Sequence, residues 1–197
     1  MKVIIFSYDK FSFIDPFFFH FYEKNWPDNP YETKLLTYQH GKKQWSDMAI
    51  KYLESIEDDK FLLILNDYII KSKVDTEAIK NAESLCKNDI GCVSIGPLGK
   101  SKIYLFDTGV KGYKDFPTDK VYCVSLQAAI WKRKLFIDVL EKNESVWQIE
   151  VDGSKRFQKF NKRVIRSNTP IIDYHRGGYM IKGRVVKEVE QWTKNNW

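Results

Sequence analysis

Two stretches of the sequence carry carboxylates at positions where they could do chemistry. In the first stretch, Asn66 and Asp67 end the apolar run 61–65, which suits a strand buried on both faces of a mostly parallel sheet. A carboxylate at the carboxyl end of such a strand lies where open α/β sheets bind ligands, and it can hold a divalent cation that in turn holds a diphosphate. Alternatively, both residues form a turn or cap a helix, which they also favour.

The second stretch surrounds Trp147. Glu144 and Glu150 flank this tryptophan at intervals of three residues, so on a helix the three side chains would lie near one another. A carboxylate beside an aromatic wall can have a raised pKa and act as a general base. The alternative is that Glu144 caps a helix, Glu150 faces solvent and Trp147 packs in the core.

Other catalytic classes find little support in the sequence. The three histidines and three cysteines stand at no metal-binding spacing and in no recognisable nucleophile motif. A P-loop, a glycine-rich dinucleotide fingerprint and a GxSxG elbow are absent from the sequence. The cysteines are therefore expected to be reduced and mostly buried, and His20 is expected to pack in an aromatic core helix.

The elements that must position these groups alternate between strands and helices. Strands are predicted at 2–7, 34–38, 61–65, 91–95, 102–106 and 121–126, and helices at 15–24, 44–55, 75–88, 132–140 and 185–197. Strand–helix–strand spacing of this kind implies right-handed parallel crossovers. The prediction is an α/β fold: a single Rossmann-like domain over residues 1–197, with a mostly parallel central sheet flanked by helices and residues 164–197 as a C-terminal extension.

Composition sets broad limits on the partners. A formal net charge of +6 permits contact with phosphates on a nucleotide, a nucleic acid or an anionic membrane surface, and it does not choose among them. Neither a signal peptide nor a run approaching the roughly 18 apolar residues of a membrane span is visible. The sequence therefore predicts a soluble, cytoplasmic protein.

Four segments together resemble a small glycosyltransferase of the GT-A type. They are KVIIFSY at 2–8, LNDYI at 65–69, SLQAAIW at 125–131, and ESVWQIE at 144–150 with GSKR following it. The resemblance covers residues 2–184 and is to compact bacterial and phage sugar transferases that are similar to family 2 nucleotide-sugar enzymes. It implies a GT-A fold, a nucleoside diphosphate sugar as donor, a divalent metal such as Mn²⁺ or Mg²⁺, and a glycan or glycolipid as acceptor.

The resemblance also implies roles for individual residues, with one departure. Asp67 would hold the metal, His175 would add a further metal or phosphate contact, and Glu150, or failing that Glu144, would deprotonate the acceptor. The donor would contact Ser7, Tyr8, Asp9, Asn66 and Arg156, and the acceptor would contact Gln127, Trp131 and Trp147. Lys100 and Lys155 could join Arg156 in clamping phosphate oxygens. The departure is that Asn66 stands where such enzymes usually have a second carboxylate.

Two alternatives to this function stay open from the sequence. The same transferase chemistry could act on DNA, for instance on a modified base, and binding would then depend steeply on salt. Alternatively, the chain is a degenerate module that binds nucleotide sugars without catalysis, which the missing carboxylate at Asn66 favours.

Overall fold

The computed structural model describes residues 1–39, 45–97, 105–175 and 177–197. Lys100 and most of the predicted strand 102–106 lie outside these residues. The strands are β1 (Lys2–Tyr8), β2 (Thr33–Tyr38), β3 (Lys60–Leu65), β4 (Ile90–Ser94), β5 (Phe106–Asp107), β6 (Tyr113–Phe116), β7 (Ala129–Lys132), β8 (Arg163–Ser167), β9 (Met180–Ile181) and β10 (Arg184–Val185). The helices are α1 (Asp15–Asn25), α2 (Trp45–Glu54), α3 (Thr76–Leu85), α4 (Arg133–Val139), α5 (Val146–Gln148), α6 (Ser154–Phe157) and α7 (Lys187–Asn196).

The central sheet has the strand order β2-β1-β3-β7-β4-β8-β6-β5 within the described residues. The β1–β2, β1–β3 and β4–β8 pairs are parallel, whereas β7 runs antiparallel to both β3 and β4. Six of these eight strands share one direction, and only β6 and β7 oppose it. The predicted α/β class, with a mostly parallel central sheet flanked by helices, is confirmed.

Apolar residues cover both faces of this sheet. Along β1, Val3 and Ile5 face the cluster that includes α1 and α3, while Ile4 and Phe6 face the cluster that includes α2 and α4. This alternation follows from the two-residue period of a strand. Burial on both faces explains why β1 and β3 read as continuous apolar runs rather than alternating ones.

The predicted strand at 121–126 is wrong. These residues form a turn, a bend and irregular backbone. The strand of this region is β7, which begins three residues after Leu126. Tyr122 has a φ of 68°, which interrupts an extended backbone. The backbone N–H groups of Val124 and Leu126 donate to the side chains of Ser154 and Glu150 instead of to a neighbouring strand.

The C-terminal part of the chain covers one end of the sheet. The segment that the sequence predicts as an extension begins inside the sheet, since β8 lies between β4 and β6. The β9–β10 hairpin and α7 follow, and the ring of Trp192 in α7 packs on Phe21 of α1 at 5.0 Å. Among the described residues, no helix combines the length and the apolar character needed to span a membrane.

Candidate functional site

A cleft of about 640 Å³ opens at the carboxyl ends of β1 and β3. Phe6 pairs with Leu65, the last residue of β3, and β1 continues to Tyr8. The residues that follow the two parallel strands therefore share one edge of the sheet. The other walls come from the start of the helical segment at 145–150 and from residues 177–183. Asp67 and Glu150 both line this cleft. The structure therefore places the predicted metal ligand Asp67 and the first candidate for the base, Glu150, in one cleft.

Asp67 lies in the turn that ends β3, where the N–H of Tyr68 donates to the carbonyl of Leu65. Burial raises the pKa of the Asp67 carboxyl to about 7, and the backbone N–H of the same residue only partly offsets this effect. No ion pair between described residues includes Asp67. Within the part of the chain that the structure describes, the cleft thus holds a partly buried carboxylate without a cationic partner.

Gly178 packs directly against Asp67. The Tyr179 N–H donates to the Asp67 carbonyl at 2.7 Å, and a Cβ placed on Gly178 would come within 2.5 Å of Asp67 Oδ2. Gly178 also has a φ of 75°, a conformation that residues with a side chain rarely adopt. A glycine at this position therefore lets the C-terminal segment approach the acidic group closely.

Gly178→Ala is expected to lower the free energy of unfolding by about 2 to 4 kcal/mol, because backbone strain adds to the collision with Asp67. Gly109→Ala is the matched control, since Gly109 has a φ of 72° and no atom of the described residues lies within 4 Å of its added Cβ. It should lose only about 1 to 2 kcal/mol. Chemical denaturation of the two variants measures the difference, and equal losses would show that the Asp67 contact contributes nothing.

Glu150 lies in a π-helical turn, Ile149–Gly153, that joins α5 to α6. Such turns are rare and often occur at functional sites. Its Oε1 accepts the Leu126 N–H at 2.9 Å and lies 3.5 Å from the Ser125 hydroxyl, whereas Oε2 has no hydrogen bond within the described residues. Burial raises the pKa of Glu150, and these hydrogen bonds and the buried Arg166 limit the increase. One carboxylate oxygen is therefore fixed and the other is available to a ligand.

The side chain of Tyr68 lies near both acidic groups. Its ring stacks on Tyr174 at 4.4 Å, and the residue lines the cleft beside Asp67. The pKa of Tyr68 is raised well above its usual value by burial and by the negative charges of Asp67 and Glu150, among others. The charges of Asp67 and Glu150 therefore both act on this one phenol.

An aromatic corner forms the wall beside the ends of β1 and β2. Tyr8 and Tyr38 are register partners on these strands, and their rings stack at 4.8 Å with 15° between the planes. Phe11 meets Tyr8 edge-on at 5.1 Å. All three residues line the cleft, and so does Trp147, which is 71% exposed. The corner and Trp147 offer two flat apolar surfaces to a ligand.

Other residues predicted to contact the donor serve to position the strand ends. Ser7 is fully buried, and its hydroxyl donates to Asp15 at 2.9 Å. The Asn66 amide donates to Asp15 at 2.6 Å and to Ser7 at 3.1 Å. Asn66 lines the cleft, but its amide group binds neighbouring side chains of the protein. Asp9 is exposed and outside the cleft lining; its carboxylate accepts the Lys10 N–H.

Glu144 and Arg156 bind each other outside the cleft lining. Arg156 donates to Glu144 at 2.6 Å and to the carbonyl of Val139 at 2.7 Å. The Glu144 N–H donates to Ser46 at the start of α2, which ties this pair to the scaffold. Lys155, the other predicted phosphate contact, pairs instead with Asp152.

Glu144→Ala is expected to lower the free energy of unfolding by about 2 to 3 kcal/mol, because it removes the buried carboxylate and leaves the mostly buried Arg156 guanidinium with only the exposed Glu141. Glu141→Ala is the control: Glu141 is 66% exposed in its pair with Arg156, and its loss should cost under about 1 kcal/mol. Thermal denaturation measures both effects. Loss of turnover in Glu144→Ala at unchanged stability would instead show that Glu144 belongs to the site.

Three further predicted residues lie outside the cleft lining. Trp131 is fully buried, with its ring 5.0 Å from Phe136, and this position excludes it from contact with an acceptor. Gln127 is half-buried, and its N–H contacts the Ser125 hydroxyl at 3.4 Å. The His175 ring packs edge-on against Trp192 at 4.9 Å, and burial lowers its pKa. No group of three or more acidic, histidine or cysteine side chains suited to a metal occurs in the described part of the chain.

Comparisons with known proteins show only distant likenesses. No protein-family model and no curated protein sequence matches the chain. Among solved structures, apo UDP-glucose pyrophosphorylase is 15% identical with a TM-score of 0.46, covering 86% of this chain and 74% of its own. CMP:2-keto-3-deoxy-manno-octonic acid synthetase complexed with CTP is 9% identical with a TM-score of 0.49, covering 100% and 98%. HddC from Yersinia pseudotuberculosis is 14% identical with a TM-score of 0.38, covering 81% and 79%. These likenesses carry no conclusion about a reaction.

Proposed function

We propose that this protein is a glycosyltransferase that moves a sugar from a nucleoside diphosphate sugar to an acceptor hydroxyl. The observation that supports this proposal is that Asp67 and Glu150 line one cleft at the carboxyl ends of parallel strands. Ligands of open α/β sheets bind at this edge. A second, partly buried carboxylate with a raised pKa suits a general base.

The donor would lie along the edge formed by β1, β2 and β3. Its nucleobase would pack on the aromatic corner of Tyr8, Phe11 and Tyr38, because bases stack well on aromatic rings. The diphosphate would then lie toward Asp67. Ser7 and Asn66 would act indirectly by fixing the ends of β1 and β3 to Asp15.

Asp67 fits a divalent cation as its protein anchor. Its carboxylate is enclosed and has no cationic partner among the described residues, and Mg²⁺ commonly binds through one or two carboxylates together with substrate phosphates. His175 lies outside the cleft lining and is not part of this arrangement. When bound, the ion would neutralise charge that develops on the leaving diphosphate.

Glu150 would accept the proton of the acceptor hydroxyl. The oxygen of that hydroxyl forms a bond to the anomeric carbon as the bond from this carbon to the diphosphate oxygen breaks, and the nucleoside diphosphate leaves with the bonding electrons. Glu150 Oε1 keeps its hydrogen bond from the Leu126 N–H, so Oε2 would take the proton. The exposed face of Trp147 would orient a glycan or glycolipid acceptor at the rim.

A donor screen tests this proposal directly. Common UDP, GDP and TDP sugars are added to the protein with and without Mn²⁺, and both the melting temperature and the release of nucleoside diphosphate are measured. We expect one donor to raise the melting temperature and to be hydrolysed slowly without an acceptor. Binding without any release would indicate a nucleotide-sugar-binding module, and no binding by any donor would refute the proposal.

A further inference from the structure

Two lysines line the cleft from different walls. Lys10 lies in the 3-10 segment that follows β1, and Lys182 lies at the tip of the β9–β10 hairpin. Both residues are exposed, whereas the acidic residues of the lining, Asp67 and Glu150, are partly buried. Negative and positive groups therefore occupy different depths of the same cleft.

Neither lysine forms an ion pair among the described residues. This distinguishes them from Lys155 and Arg156, two of the three cations that the sequence predicted to bind phosphate, which pair with acidic side chains elsewhere. The ammonium groups of Lys10 and Lys182 are thus available to an anionic ligand. Lysine binds phosphate as a compact point charge with three donors.

The backbone of Lys182 is unusual for its residue type. Lys182 and Gly183 have φ angles of 50° and 75°, so both central residues of this two-residue hairpin turn are left-handed. Asparagine or aspartate is preferred at the first position of such a turn, and a longer side chain is less favourable there. Residues that break a local rule in this way commonly occur at functional sites. A lysine here is unfavourable for the turn, yet it brings a positive charge to the cleft.

We infer that Lys10 and Lys182 form a clamp that holds the diphosphate group of the ligand between the two walls of the cleft. This inference rests on the proposed function and deepens it by naming the groups that bind the anion. Lys10 lies beside the aromatic corner at Tyr8 and Phe11, so it would contact the phosphate nearer the nucleoside. Lys182 would contact the diphosphate from the hairpin and thereby bring the C-terminal wall against the ligand.

Lys182→Asn gives a sharp test because it removes the charge while it improves the turn. Lys10→Gln is the companion variant, and Lys111→Asn is the control, since Lys111 is exposed, precedes a glycine and lies outside the cleft. Inorganic pyrophosphate, UDP and uridine are titrated calorimetrically into each protein in EDTA. We expect each clamp variant to bind pyrophosphate and UDP about tenfold or more weakly. Uridine affinity should stay unchanged, and the melting temperature of Lys182→Asn should equal or exceed that of the wild type.

The outcomes separate the clamp from the transferase proposal. Pyrophosphate binding that depends on both lysines supports the clamp even if no nucleotide sugar is turned over, which would refute only the transferase. Donor turnover together with unchanged pyrophosphate and UDP affinity in the double variant refutes only the clamp. A wild-type protein that binds neither pyrophosphate nor UDP refutes the clamp as well.

Discussion

Glu150→Gln is expected to lower kcat for sugar transfer by about 10²- to 10⁴-fold, the usual contribution of a general base. Glutamine preserves the size of the side chain and can still accept the Leu126 N–H through its amide oxygen, so the π-helical turn should persist. Donor affinity should change little, because the variant removes proton transfer rather than a donor contact. Steady-state kinetics and calorimetry on the same preparation measure the two effects.

The pH profile of the wild type provides an independent check on Glu150. Burial raises its pKa, and a base acts only when it is deprotonated. The rate should therefore rise with pH through this raised pKa and then level off. Glu141→Gln, which changes an exposed glutamate outside the cleft, should retain both the rate and the profile. Normal turnover in Glu150→Gln would remove this residue from the role of base.

Asp67→Asn is expected to abolish metal-dependent donor binding and, at the same time, to stabilise the protein at neutral pH. The pKa of this carboxyl is about 7 in the folded chain and 3.8 as its ordinary value. Between these two values the folded state binds more protons than the unfolded state, so the free energy of unfolding falls as the pH rises. The loss amounts to up to about 4 kcal/mol and is complete above pH 7. Asparagine does not titrate and avoids this loss.

Urea denaturation in EDTA at pH 4, 6 and 8 measures this second prediction. The Asp67→Asn variant and the wild type should differ little at pH 4 and most at pH 8. Asp115→Asn is a useful contrast, because Asp115 pairs with Arg163 at 2.7 Å and its loss should not stabilise the protein. If the free energy of unfolding depended on pH in the same way in Asp67→Asn and the wild type, ionisation of Asp67 would not be the cause of the loss of stability. Unchanged Mn²⁺-dependent donor affinity would refute its role as the metal anchor.

Local pattern was enough to predict the scaffold that carries Asp67. The runs in β1 and β3 are buried on both faces, so residues 3–6 and 61–65 are continuously apolar, and the predicted strand ends at Ser7 and Leu65 lie within one residue of the observed ends. Because parallel strands end at one edge, the position of Asp67 at a cleft followed from its place in the chain. The strand predicted at 121–126 failed because nothing local reveals that Leu126 donates to Glu150, 24 residues away.

Side-chain pairing decided which candidates reach the cleft, and pairing is not visible in local sequence. Glu144 and Glu150 have equivalent spacing around Trp147, yet Glu144 meets Arg156 while Glu150 meets a backbone N–H of the cleft wall. Glu144 precedes the helix, whose N-cap is Ser145, whereas Glu150 lies in the π-helical turn, and no periodicity rule anticipates this difference. Lys182 carried one overlooked signal: it precedes a glycine between short apolar segments, as hairpin turns do.

The position of residues 177–183 has a consequence for the order in which the protein matures during synthesis. All eight strands of the described central sheet have been synthesised once Ser167 has left the ribosome, so the sheet can begin to form at that stage, while Ile172, Tyr174 and Tyr179 of one core cluster follow later. The wall that contains Gly178 and Lys182 is still missing then. A nascent chain would therefore form its sheet before it can bind its ligand. A ribosome stalled at this point would carry a chain that has its sheet but does not bind the ligand.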